Sequence, residues 1–277
     1  MLKPGYRIAE THEFEGAVVD IIAWTELRGM THIAGVQTLD HFRGAGMAVR
    51  QIRVTLKGGK DEITTEAGAL QFLSGRIDME NRIPAGKVMR RLFGSALTGE
   101  SVFRPTYRGK GEIWLEPTLG HYVIVGLGPE TVIVDQGAFH VAGKGVAVEA
   151  KLQGNVSSAL FGGEGLFQTA ITGPGFCILQ SPVPEDELIK MAVEPGEKCV
   201  LDGPFALLRT ANLTFSVSKS SRTWIGSTTT GDGLLNTFEN RSREAGEVWV
   251  SPLEPIYNQF GQWIHQHNAS SSSGGQN

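Results

Sequence analysis

Three acids recur at matched positions, Glu100, Glu164 and Asp232, each directly after a glycine and 64 and 68 residues apart. Arranged about a common axis, three such carboxylates can hold a cation or receive a partner's basic group. One acid per repeat is a thin ligand set, because a calcium ion takes about six to eight oxygens. The other reading is that each acid caps a turn or solvates a loop rim.

The remaining chemistry-bearing residues give no catalytic constellation. A cupin-like metal site needs His-x-His followed by a later Glu and His on facing strands. The sequence holds His-x-His only at His265-Gln266-His267, close to its end. His140 falls in a strand, and its counterparts in the other repeats read as Gln71 and Ala206. Gly-x-Ser-x-Gly, the signature of a strand-to-helix nucleophile, does not occur. Gly162-Gly163-Glu164-Gly165 lacks the Lys-Ser/Thr of a phosphate loop, and its acid repels phosphate. No enzyme, metal site or cofactor is expected.

What must position these residues is a triplicated β scaffold. A first phrase runs Gly99-Glu100-Ser101-Val102-Phe103, then Gly163-Glu164-Gly165-Leu166-Phe167, then Gly231-Asp232-Gly233-Leu234-Leu235. A second runs Gly111-Glu112-Ile113-Trp114-Leu115, then Gly175-Phe176-Cys177-Ile178-Leu179, then Gly246-Glu247-Val248-Trp249-Val250. A third matches Glu66-Ala67-Gly68-Ala69-Leu70 to Asp135-Gln136-Gly137-Ala138-Phe139, with a weaker copy at Asp202-Gly203-Pro204-Phe205. Turns are expected before each third phrase, at 57–60, 126–130 and 194–197, where Gly, Pro and Glu cluster. Short apolar runs such as Thr131–Val134 and alternating runs such as Leu213–Ser218 read as strands. Trp114, Ile178 and Trp249 share one repeat position and read as core, with ligand stacking as the alternative. A period near 65 residues leaves room for roughly five or six strands per unit.

The expected organisation is an N-terminal arm at 1–46, a triplicated β domain at 47–251 with internal pseudo-threefold symmetry, a C-terminal segment at 252–267 with helical spacing, and a disordered Ser/Gly tail at 268–277. Within the arm, Gly16–Trp24 reads as a strand. A short helix is expected over Ala85–Phe93, behind Pro84.

Formal net charge is −4. That balance argues against nonspecific binding to nucleic acid or to an anionic membrane. Cys177 and Cys199 read as small strand hydrophobes rather than a disulfide. No apolar run reaches the roughly 18 residues of a membrane span. Neither a signal peptide nor an Arg-rich, acid-poor presequence is visible, and Glu10, Glu13 and Glu15 oppose the latter, so a bacterial cytoplasmic location is expected.

The phrases at Gly163–Phe167, with Phe161-Gly162 before and Thr172-Gly173-Pro174-Gly175 after, resemble the altered-inheritance-of-mitochondria family over about residues 47–251. The resemblance implies an all-β fold similar to the tryptophan RNA-binding attenuator protein, built from β-sandwich or double-stranded β-helix units. It implies no catalytic residues, and fungal mitochondrial relatives link the family to inner-membrane organisation. The expected function is a non-enzymatic scaffold or interaction protein, with an unidentified protein partner, self-association or peripheral membrane contact. Alternatives are a small-ligand or nucleic-acid binding module and a metal-dependent cupin-like enzyme. The expected interaction surface is the set of glycine-rich loops carrying Leu92, Phe93, Leu160 and Phe161, beside Glu100, Glu164 and Asp232.

Overall fold

The computed structural model describes residues 5–81, 104–135, 137–152, 167–219 and 234–259. It is all-β. The chain divides into two compact units, Met1–Ser181 and Pro182–Asn277.

Unit 1 holds β1 (Tyr6–Phe14), β2 (Ala17–Trp24), α1 (Ile33–Gly44), β3 (Val49–Thr65), β4 (Leu70–Asn81) and β5 (Pro105–Leu115). It continues with β6 (His121–Leu127), β7 (Thr131–Val134), β8 (Phe139–Gly143), β9 (Ala147–Leu152), β10 (Phe167–Thr172) and β11 (Gly175–Ser181). Unit 2 holds β12 (Ile189–Val193), β13 (Lys198–Asp202), β14 (Ala206–Thr210), β15 (Leu213–Lys219), β16 (Leu234–Asn240) and β17 (Gly246–Val250). Residues 254–259 are helical. The helix expected over 85–93 lies outside the described residues.

The sequence repeat is a repeat of strand pairing. In the first copy one long strand, β5, runs antiparallel between β3 and β4. In the second copy the same part is divided: β11 lies between β6 and β8, and β10 between β7 and β9. Unit 2 repeats the divided form, with β17 between β12 and β14 and β16 between β13 and β15. The recurrence is one of pairing and register; it is not by itself a threefold axis.

One bulge recurs with it. Leu70 faces Leu115 and Phe72 faces Trp114, which leaves Gln71 as the extra residue. Phe139 faces Leu179 and Val141 faces Ile178, leaving His140. Ala206 faces Val250 and Leu208 faces Trp249, leaving Leu207. The counterparts of His140 are therefore Gln71 and Leu207. The expectation of Ala206 is corrected by one residue, because Ala206 occupies the paired position that Phe139 holds.

The turn expected at 57–60 is also corrected. It is a bend inside β3, across which the register with β5 jumps between Lys57 and Glu62. The turns expected at 126–130 and 194–197 do separate strands, β6 from β7 and β12 from β13. Glycine permits the uninterrupted strands of the first copy. Gly109 and Gly111 in β5 have φ of +133° and +156°, and a Cβ there would sit 2.2 Å from the Arg76 carbonyl oxygen and 2.1 Å from that of Ser74. No other residue lets β4 and β5 approach this closely.

The core of unit 1 gathers one face of these strands: Val19 and Ile21, Ile52, Val54 and Leu56, Ile113 and Leu115, Val141 and Ile178, all buried. β2, from the N-terminal arm, pairs with β3 along its whole length, so this strand lies between β1 and β3. Phe14 of β1 stacks on Phe176 of β11 with centroids 3.9 Å apart. In unit 2 residues 241–245 form the turn after β16. Asn240, fully buried, closes it by donating to the Val193 and Glu244 carbonyls at 2.7 and 2.9 Å while accepting from Ser242.

Candidate functional site

A row of side chains crosses five strands of unit 1 on the face opposite the core. Thr11 of β1 stands across from Asp20 of β2, Asp20 across from Arg53 of β3, Arg53 across from Trp114 of β5, and Trp114 across from Phe72 of β4. Residues at one register level share a face, which brings these groups together from distant points in the sequence.

The row is chemically continuous. Thr11 Oγ1 donates to Asp20 Oδ1 at 2.7 Å. Arg53 donates from Nε and Nη2 to Asp20 Oδ2 at 3.0 and 2.7 Å, and its Nη1 lies 3.9 Å from Glu112. The guanidinium carbon sits 5.4 Å from the Trp114 ring centre, and Trp114 stacks on Phe72 at 5.3 Å. Trp114 donates its indole N–H to Glu112 at 3.2 Å, two residues back on the same face. Asp20 is buried and Phe72 is half exposed, so the row runs from a desolvated ion pair to an open aromatic surface.

Unit 2 carries the same arrangement. Lys190 of β12 stands across from Trp249 of β17, with its ammonium 3.9 Å from the ring centre. Trp249 donates to Glu247, again two residues back, at 2.7 Å. In the second copy Ile124 faces Ile178, and no charge is involved. The phrase Gly-Glu-x-Trp at 111–114 and 246–249 was the sequence signal for this device. The basic residue across the ladder had no signal, because it comes from another strand.

Next to the row lies a buried amide. Gln51, only 1% exposed, accepts from the Trp24 indole at 2.9 Å and donates to Gln71 and to the Leu115 carbonyl, both at 2.7 Å. The equivalent bulge in the second copy holds His140, whose ring lies 5.1 Å from that of Tyr122. Its Nε2 has no hydrogen-bond partner among the described residues. Burial lowers the His140 pKa to about 4 and raises that of Tyr122, so both stay uncharged near neutrality. Burial also raises the Cys177 thiol to about 12, which keeps it inert.

The arrangement therefore ties strands together. Each cation has a carboxylate partner, Asp20 for Arg53 and Glu185 for Lys190. No group of three or more His, Cys, Asp or Glu among the described residues is placed to hold a metal ion. No helix among them is long and apolar enough to cross a membrane. Trp114, Ile178 and Trp249 are all buried, as their shared repeat position implied.

The seven residues expected to form an interaction surface, Leu92, Phe93, Glu100, Leu160, Phe161, Glu164 and Asp232, lie outside the described residues. The stretches that carry them fall at one point of the repeat, between the paired ends Asn81–Pro105, Leu152–Phe167 and Lys219–Leu234. What the sequence reading missed is α1 with its flanks. Across the described residues of 25–47 no side chain is buried, and Leu27, Met30, Ile33, Val36 and Met47 are exposed, Ile33 by 81%.

The described residues define an all-β chain of recurring three-stranded pairings. The family model described as "Mitochondrial biogenesis AIM24" matches residues 42–253. The chain belongs to that family. A Streptococcus pyogenes protein solved by X-ray crystallography as a structural-genomics target shares the fold, with a TM-score of 0.56 and 19% identity, over 80% of this chain and 94% of that one. No functionally curated protein matches the sequence.

Proposed function

We propose that this chain is a non-enzymatic scaffold or interaction protein of the bacterial cytoplasm, acting by docking onto a partner assembly or a membrane surface. The observation that carries the reading is α1. A helix whose Ile33 and Val36 stand in water, between exposed Met30 and Met47, is held by no core of its own. Contiguous exposed apolar side chains mark interaction surfaces. Burying each one against a partner contributes roughly 1.5–3 kcal/mol. The rest of the described polar chemistry supports the reading, since its acids and cations tie strands together.

The test is the double substitution Ile33→Ser with Val36→Ser. Thermal melting should barely move, because exposed substitutions change stability by no more than about 0.5 kcal/mol. Association, read by pull-down against host extract and by flotation with vesicles of host lipid, should fall. Unchanged association in both assays would remove α1 as the docking element. A much lower melting temperature would show that it packs within the chain.

A further inference from the structure

We propose that the outer edge of β4 pairs with the same edge of a second copy of this chain, antiparallel and about a twofold centred on Ile77. This goes beyond the docking role of α1 and rests on different residues. β4 pairs with β5 along one side from Leu70 to Asn81, and among the described residues no strand occupies its other side. None of residues 70–80 is buried, and Phe72 and Met79 are about half exposed. A long open edge presents unpaired N–H and C=O groups that can template another strand.

The charges select the partner. Arg76 and Asp78 lie two residues apart on one face, and neither makes an ion pair or hydrogen bond among the described residues. A twofold perpendicular to the sheet sets side chains of the same face opposite each other, so one residue must face its own counterpart. Centring on Arg76 or Asp78 opposes like charges directly. Centring on Met79 sets Asp78 against Glu80, and centring on Gly75 leaves Arg76 and Asp78 facing Ser74 and Phe72. Centring on Ile77 sets each Arg76 against the other copy's Asp78. It also sets Ser74 against Glu80 and brings the two Ile77 side chains together. Opposite charges directly across a ladder stabilise it and like charges destabilise it. Of these registers, only the one on Ile77 sets both Arg76 and Asp78 against an opposite charge. The edge is thus self-complementary, which is what a twofold interface requires.

The test uses the full chain in analytical ultracentrifugation across a dilution series. The wild type should be dimeric. Arg76→Asp alone and Asp78→Arg alone each oppose like charges at two places, and each should weaken the dimer by roughly tenfold or more. The combined swap Arg76→Asp/Asp78→Arg restores both pairs and should restore the affinity. Separately, Ile77→Cys should form a disulfide-linked dimer under mild oxidant, where the wild type, with Cys177 and Cys199 alone, does not. A monomeric wild type at every concentration overturns the proposal, as does a dimer indifferent to the single reversals or unrestored by the swap. An Ile77→Cys variant that fails to cross-link overturns the twofold register. None of these outcomes bears on α1, whose substitutions leave this edge untouched.

Discussion

Arg53 stands directly across the β3–β5 ladder from Trp114, with its guanidinium 5.4 Å from the indole centre, and Lys190 bears the same relation to Trp249 at 3.9 Å. The first pair is also bound to a buried carboxylate. Arg53→Leu leaves Asp20 desolvated without its cation and should cost about 3–5 kcal/mol. Asp20→Leu combined with Arg53→Leu should recover much of that loss, because no buried charge remains. Urea denaturation of the two single variants and the double variant measures the coupling. Additive losses would mean that the ion pair is not what ties β2 to β3.

Lys190 is a milder case, since its side chain is partly exposed. Lys190→Ala should cost about 0.5–1 kcal/mol, the range of a surface cation–π contact, while Lys190→Arg should retain most of it. Trp249→Ala empties a buried indole site and should cost about 3–5 kcal/mol. Chemical denaturation of unit 2, followed by the fluorescence of the remaining tryptophans, ranks the three variants.

His140 makes stability depend on pH. Its folded pKa is lowered to about 4 from an ordinary value of 6.5, because burial penalises the charged ring. Between those values the unfolded chain binds the proton and the folded chain does not, so stability rises with pH through this window. The contribution is fully present above about 6.5 and is lost as pH falls toward 4, a span worth about 3 kcal/mol. His140→Leu installs the residue found at the third copy's bulge, Leu207. The variant should match or exceed wild type near pH 8 and gain on it steadily as pH falls to 4. Melting curves across that range decide the matter; parallel pH profiles for the two proteins would remove His140 as the cause.

Gly109 and Gly59 separate steric crowding from backbone preference. Both have positive φ, but a Cβ at Gly109 would lie 2.2 Å from the Arg76 carbonyl oxygen, whereas at Gly59 it would meet nothing within 4 Å. Gly59→Ala should cost roughly 1 kcal/mol for its left-handed backbone. Gly109→Ala should cost about 3 kcal/mol or more, since β4 and β5 must also part. Equal losses in a denaturation experiment would show that β4 and β5 are not held in this close approach.

Much of the scaffold was legible in the sequence. The recurring Gly175 and Gly246 open β11 and β17, Gly111 stands at the matching point inside β5, and the alternation of Leu213–Ser218 announces β15. Trp114, Ile178 and Trp249 announced one buried position. These are local properties: turn backbone angles and a period of two are written within a few residues of one another. Where the local text was ambiguous the reading slipped. Lys57-Gly58-Gly59-Lys60 has the composition of a turn, yet β5 pairs on both sides of it and draws it into a single bent strand. The offset of His140 against Ala206 arises because Phe205 resembles Phe139 in the sequence, whereas strand pairing puts Ala206 at the Phe139 position.

By itself, then, the sequence determined that this protein is built of repeated β units, that one position shared by the units is buried, and that no familiar catalytic signature is present. The tertiary structure alone decided which strands are neighbours. It placed Asp20 beside Arg53, 33 residues away, and Gln51 against Leu115, 64 residues away. It brought β2 alongside β3, and it left Ile33 and the β4 edge without a covering element among the described residues. Periodicity states which face of a strand a residue occupies. It carries no information about what lies across the ladder, because that is set by register between segments whose separation in sequence has no bearing on their distance in space.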